Sequence, residues 1–200
     1  MGSRESNREA VSLAVLAPLS VEALALRAGL HTARVVRTGG GPKRSQSAAR
    51  ELIGSRDRAL AVAGLCGGVD QSLQPGDVVV ASELCGVTGV RPIVGASALV
   101  DALGKLGVSA HLGPIRSEDH LVCGEERDRL RADGALAVDM ESLWLADAAG
   151  ERPFAVLRVV LDTPRWELLR PGIIVDSLRA LATLRRIAPA LETWSDTQLH

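Results

Sequence analysis

Acidic residues stand where a chain of alternating strands and helices would carry its chemistry. Glu22 follows the first predicted strand. Asp139 and Glu141 end a short strand at Ala135–Val138, and Asp162 ends the clearest strand, Phe154–Leu161 (FAVLRVVL). In open α/β sheets, ligands collect beyond the carboxyl ends of the strands. Carboxylates converging there can exchange protons with a bound molecule. Each also has a plainer reading. Glu22 and Glu141 could complement a helix N-terminus, and Asp162, which precedes Thr163-Pro164, could organise a turn. Singly, none of the acids decides.

The framework that would hold these acids can be read from the pattern of apolar runs and breakers. Val11–Ala17 reads as a buried strand ended by Pro18, and a helix follows from about Ser20, a plausible N-cap, to Ala28, with Gly29 as its stop. Ala33–Arg37 is a second strand, Thr38-Gly39-Gly40-Gly41-Pro42 a tight loop, and Lys43–Ile53 a helix. Ala59–Ala63 runs as a strand into Gly64-Leu65-Cys66-Gly67-Gly68. Asp77–Ser82 is another strand, Ser97–Leu106 a helix, and His111–Ile115 a strand. Glu125–Ala132 is a polar helix, a further helix runs from about Glu141 to Ala148, and Ile173–Ile187 is the closing helix. The alternation predicts a single α/β domain over residues 11–200, a layered sheet with both faces covered, preceded by a disordered tail at 1–10.

Composition narrows the function. A formal net charge of −1 and the absence of any long basic run argue against nucleic acid as a partner. With three Trp, one Phe and no Tyr, recognition cannot rest on a broad aromatic platform. The three cysteines have no paired spacing, so no disulfide framework or metal site is expected. Val11–Leu19 is too short to span a bilayer, and the polar first ten residues do not resemble a secretion signal; a cytoplasmic protein is expected. Known motifs fail on spacing. No G-x-G-x-x-G follows the first strand, no G-x-x-x-x-G-K-[ST] exists, and Gly95-Ala96-Ser97-Ala98-Leu99 lacks the last glycine of a nucleophile elbow. The sequence calls for no cofactor.

As a set, the segments resemble one family. Ala137-Val138-Asp139-Met140-Glu141-Ser142 is similar to the A-V-E-M-E-[SA] signature of the nucleoside phosphorylase and nucleosidase superfamily, in its methylthioadenosine/adenosylhomocysteine nucleosidase branch. Gly64–Gly68 with Leu73–Val80 resembles that family's G-x-x-G-G…L-x-x-G-D-[IV]-V-V segment, and Leu157–Asp162 its I-R-x-[IV]-S-D strand. Ala17–Leu26 resembles the start that carries the catalytic glutamate, here Glu22. The segments Gly113–Val122 and Asp162–Gly172 look most like hopanoid-associated nucleosidases, which are thought to convert adenosylhopane to ribosylhopane.

The resemblance implies a division of labour for breaking a ribosyl–purine bond through an oxocarbenium-like sugar. Glu22 would hold and deprotonate water, Glu141 would fix the sugar hydroxyls, and Asp162 would deliver a proton to purine N7. Leu19 and Met140 would line the sugar or its 5′ substituent, with Asp139 beside them. Leu65, Cys66 and Gly67 would border the substrate from the glycine segment, and His120 and Leu121 would stand where relatives often stack the base. A phosphate-using relative would carry a serine at Leu65 and arginines nearby, so water is expected as the nucleophile, with Arg44 and Arg158 as the residues that could overturn this. Trp144, Trp166, Leu168 and Leu169 could widen an apolar mouth for a lipid tail, with peripheral membrane contact as a corollary. The resemblance also implies a three-layer α/β/α domain with a mixed, twisted sheet of the phosphorylase/hydrolase kind, and a homodimer. The rivals are a nucleosidase for methylthioadenosine, adenosylhomocysteine or a futalosine-like compound, a phosphate-dependent phosphorylase, and a purine-binding protein without turnover.

Overall fold

In the computed structural model, which describes residues 13–164 and 173–200, the most apolar segments form the centre of one mixed sheet. Strand β1 (Leu13–Ala17) is buried along its whole length, as is nearly all of β8 (Phe154–Asp162). Unbroken burial of that kind requires cover on both faces. Helices supply it. Between β1 and β8 the chain forms α1 (Ser20–Gly29), β2 (Arg34–Arg37), α2 (Pro42–Leu52), β3 (Ala59–Gly68), β4 (Val78–Gly86) and β5 (Gly89–Pro92). It continues through α3 (Ala96–Lys105), β6 (Ala110–Ser117), α4 (Glu125–Ala132), β7 (Ala137–Asp139) and α5 (Ser142–Ala146). After β8 come α6 (Ile173–Ile187) and α7 (Pro189–Leu199). Helix α1 packs on α6, α2 on α5, and α3 on α7.

The strand order β2-β1-β3-β7-β6-β4-β5 is complicated by β8, which pairs with β3 on one side and β4 on the other. Strands β3, β8, β4, β6 and β7 therefore pair in a closed ring, antiparallel at β8–β4 and β3–β7 and parallel elsewhere. Strands β2 and β5, both partly exposed, are the two edges of this order. The register between β3 and β8 slips by one residue at Cys66/Gly67. Adjacent strand residues normally face opposite sides, and the bulge relaxes that rule where β3 and β8 end.

The fold class agrees with the expectation from sequence; several details do not. Strand β4 runs on past Ser82 and turns through Gly89 (φ +117°) into β5, a hairpin that the glycine-broken pattern concealed. Beyond the closing helix, Pro189 starts a further one, α7, at the position where a missing N–H costs nothing. Ser20 is not the N-cap of α1. That position is Leu19, whose backbone N–H is satisfied by the Glu22 carboxylate. The expected tail at 1–10 lies outside the described residues.

Candidate active site

Each acid is positioned by a different element, and all of them reach one cavity of about 370 Å3 beyond the ends of β1, β3 and β8. The volume falls in the usual range for a small-molecule site. Leu19, Glu22, Leu65, Cys66, Gly67, His120, Leu121, Asp139, Met140, Glu141 and Asp162 all line it. A larger groove of about 480 Å3 runs between β2 and α2, lined by Arg34, Arg37 and Arg44 among others, but it holds none of these acids. The convergence of carboxylates makes the smaller cavity the candidate active site.

Glu22 sits in the first turn of α1, 2% exposed. One carboxylate oxygen accepts the Leu19 N–H at 2.7 Å and the other the Leu65 N–H, also at 2.7 Å. Burial raises its pKa above the ordinary glutamate value, and the nearby Arg158 and the two backbone bonds only partly offset this. The approach is close because residue 64 is glycine. A Cβ there would lie 2.6 Å from Glu22 Oε1 and 2.8 Å from Arg158 Nη1.

Arg158, on β8, is fully buried and organises the rest of this end. Its Nη2 lies 2.7 Å from Asp139 Oδ2 and 3.7 Å from Glu141 Oε2, and donates to Ser142 Oγ at 2.9 Å. Its Nη1 donates to the Leu65 carbonyl at 3.3 Å. The Leu65 backbone thus joins Glu22 on one side to Arg158 on the other. Burial opposes the charge on Arg158, but Asp139, Glu141 and Glu22 outweigh it and its pKa is raised.

Asp139 is committed to the protein. Its Oδ1 accepts from Ser117 Oγ at 2.6 Å and from the N–H groups of Glu141 and Ser142, so its carboxylate fixes the turn that presents Glu141. Burial works against its ionised form, and Arg158 with the serine hydroxyls more than restores it, so the pKa is lowered. Glu141 is freer. Its Oε1 accepts the Gly41 N–H at 2.9 Å. Burial raises its pKa, against the pull of Arg158 and reinforced by Asp139. Three carboxylates around one guanidinium leave this end of the cavity negative when all are ionised.

The opposite end is built differently. Asp162 is 3% exposed and forms an ion pair with Nη2 of Arg127, itself 1% exposed. Arg127 also donates through Nε to the Val122 carbonyl (3.1 Å) and through Nη1 to the Gly68 carbonyl (3.4 Å). Both Leu161 and Asp162 line the cavity, a consequence of the β3–β8 bulge. Beneath the pair is Gly67, where a Cβ would stand 3.1 Å from Arg127 Nη2 and 3.3 Å from Asp162 Oδ1.

Arg127, Gly40 and Gly41 are cavity residues that sequence reasoning missed. The segment Glu125–Ala132 looks like a solvated charged helix, yet it buries Arg127 together with Leu130. Their i, i+3 spacing was the available signal. Gly40 and Gly41 looked like a plain tight loop, although Gly41 carries the N–H that Glu141 accepts.

His120 reaches the cavity mouth with both ring nitrogens held by carboxylates, Asp119 at 2.8 Å and Glu126 at 2.9 Å. These contacts raise its pKa and favour the imidazolium. Glu118, Asp119 and His120 bring metal-type ligand atoms within 4.8 Å of one another, but Glu118 is ion-paired with Arg116 and His120 is already engaged. Burial raises the Cys66 thiol well above its ordinary pKa, so it stays protonated. Trp144 does not widen the mouth; it is buried in α5. Trp166, Leu168 and Leu169 lie outside the described residues. Arg44 lines the separate groove, not this cavity.

Comparison with solved structures gives the same architecture. The S-adenosylhomocysteine nucleosidase of Streptococcus pyogenes, in complex with 5-methylthiotubericidin, superposes with a TM-score of 0.76 at 19% identity, over 94% of this chain and 98% of that one. The futalosine hydrolase of Helicobacter pylori gives 0.76 at 16% identity, over 92% and 97%. The MTA/SAH nucleosidase of Streptococcus pneumoniae, in complex with 8-aminoadenine, gives 0.73 at 22% identity, over 92% and 98%. At these identities the likeness is one of fold. No curated protein matches the chain. The sequence model of the Phosphorylase superfamily matches residues 21–168, and the chain belongs to that superfamily.

Proposed function

We propose that the protein is a purine nucleosidase that hydrolyses the N-glycosidic bond of a 5′-substituted adenosine and releases adenine. The observation that carries this reading is the polarity of the cavity. Glu22, Asp139 and Glu141 surround Arg158 at one end, and the Asp162–Arg127 pair stands at the other. A sugar acquiring oxocarbenium charge is stabilised by the negative end, and the departing base is received by the pair. Glu22, with its raised pKa, is suited to take a proton from water near neutral pH. Glu141, which lines the same cavity, holds the ribose hydroxyls in this reading. The bond from water oxygen to C1′ forms as the C1′–N9 bond breaks and its electron pair passes to the purine.

Water rather than phosphate fits this electrostatics, because an anionic nucleophile would meet three carboxylates. Arg158, whose charge acts on Glu22, is wholly buried and occupied by Asp139 and Glu141. An apolar 5′ substituent is supported by Leu19 and Leu121, which line the cavity while remaining 45% and 58% exposed. Together with the hopanoid-like segments of the sequence, this favours adenosylhopane as substrate and ribosylhopane as product, in a cytoplasmic homodimer with peripheral access to lipid. Several solved relatives by fold are nucleosidases for smaller compounds, which makes those compounds the natural controls.

The experiment is to follow free adenine from a panel of 5′-substituted adenosines, with and without phosphate. Release without phosphate, greatest for apolar 5′ groups, is expected. Release that requires phosphate would overturn the hydrolase reading, and turnover confined to small polar substrates would overturn the hopanoid one.

A further inference from the structure

Arg127 is the residue of the cavity that neither the sequence signature nor the three-acid mechanism accounts for. It is buried, it lines the cavity, and it pairs with the acid assigned to the base. Burying an arginine is costly and needs a compensating partner. An ion pair with a guanidinium also uses Asp162 as a carboxylate, which accepts hydrogen bonds and has none to donate. A protonated Asp162 could have served both purine N7 and the 6-amino group alone, without any arginine.

We propose that Arg127 is a leaving-group residue, donating a hydrogen bond to purine N7 while Asp162 accepts one from the exocyclic 6-amino group. This deepens the nucleosidase reading and rests on it. The edge of adenine presents N7 as acceptor next to an N6–H donor, and the Arg127–Asp162 pair presents the complementary donor and acceptor. A guanidinium has five N–H donors, and three bonds, to Val122, Gly68 and Asp162, account for part of them. Gly67 leaves the pair uncovered by any side chain of its own. As the C1′–N9 bond breaks, its electron pair spreads over the purine to N7, beside the permanent positive charge. The proton lost by water goes to Glu22 and then to solvent, and the purine anion takes a proton from solvent after departure.

The test compares binding of two free bases, adenine and 7-deazaadenine, which carries C–H in place of N7, by calorimetry. Wild-type protein, Arg127→Lys and Arg127→Met are each measured. Wild type should prefer adenine by about tenfold or more, the scale of a hydrogen bond to a charged group. In R127M the two bases should bind within about twofold of each other, and R127K should keep part of the preference. A second arm uses wild type alone. Because arginine does not titrate, the preference should be constant between about pH 6 and 8. His120 titrates at the mouth, but it affects both bases alike, since they differ only at position 7.

A preference that grows in wild type as the pH falls would assign the N7 donor to Asp162, and equal binding of the two bases by wild type would leave Arg127 without the role; either result overturns the proposal while leaving the nucleosidase reading intact. Failure of wild type to bind either base would overturn both.

Discussion

Glu22 shows how a single position can be both costly and useful. Its carboxylate is held between two backbone N–H groups inside the protein. Burial raises its pKa above 4.5, so the folded state binds its proton more tightly than the unfolded chain does. The stability this provides is present below the unfolded value and is lost as the pH rises through the folded one. The ionised form, which the chemistry needs, is therefore the less stable form. Glu22→Gln should lower adenine release by about 10²–10⁴-fold, the usual worth of a general base. In wild type, activity should fall on acidification at a higher pH than an exposed glutamate would give, because the proton returns to Glu22 earlier. A pH–rate profile measures that limb. An acid limb at or below pH 4.5 would argue against Glu22 as the base.

Strand β3 and helix α4 carry the corresponding logic for elements. Gly64 lets the Glu22 carboxylate and the Arg158 guanidinium approach the strand backbone from the side where a Cβ would stand. Gly64→Ala should cost about 1–3 kcal/mol, the usual penalty of overpacking a tight interior, with adenine release reduced as the acids shift. Gly104→Ala is the contrasting substitution. It lies in α3 with open space around it, and should stabilise by about 0.4–1 kcal/mol without touching activity. Denaturant midpoints for both variants decide the point. Helix α4 is held by a small separate cluster in which Val122 and Leu130 pack with Val69, Ala135 and Val138. That anchoring gives Arg127 its fixed reach to Asp162.

Across the whole molecule, the C-terminal helix ties distant parts of the chain together. Glu192 Oε1 accepts from the N–H groups of His31, Thr32 and Ala33 and from the Thr32 hydroxyl, fastening α7 to the loop between α1 and β2. Burial opposes the ionised form, but these bonds prevail and lower its pKa. The stabilisation is present above the unfolded value and fades as the pH falls through the folded one. Glu192→Ala should cost about 1 kcal/mol at neutral pH, allowing for the exposure of the group, which is roughly 2–4 °C in Tm for a domain of this size. The difference from wild type should shrink in acid, and adenine release should be unchanged. A loss of activity matching the loss of stability would show that α7 also shapes the site.

The alternation of strands and helices, the mixed α/β class and the acids at strand ends were all legible in the chain alone. Apolar runs and breakers are local features that survive without knowledge of the partners. Family-like segments then pointed to Glu22, Glu141 and Asp162 together, and the structure brings all three to one cavity. The features that stayed hidden depend on contacts between distant segments. The β4–β5 hairpin and α7 were masked by glycine and proline, which end a pattern without naming the next element. Arg127 read as one more charge on a polar helix, because folding alone brings it to Asp162, 35 positions further along the chain. Asp139 read as a substrate contact and does line the cavity, but its ties to Arg158 and Ser117 were not visible in the chain. Charge along a sequence is local, but its partner, and hence its role, is decided by burial and proximity in three dimensions.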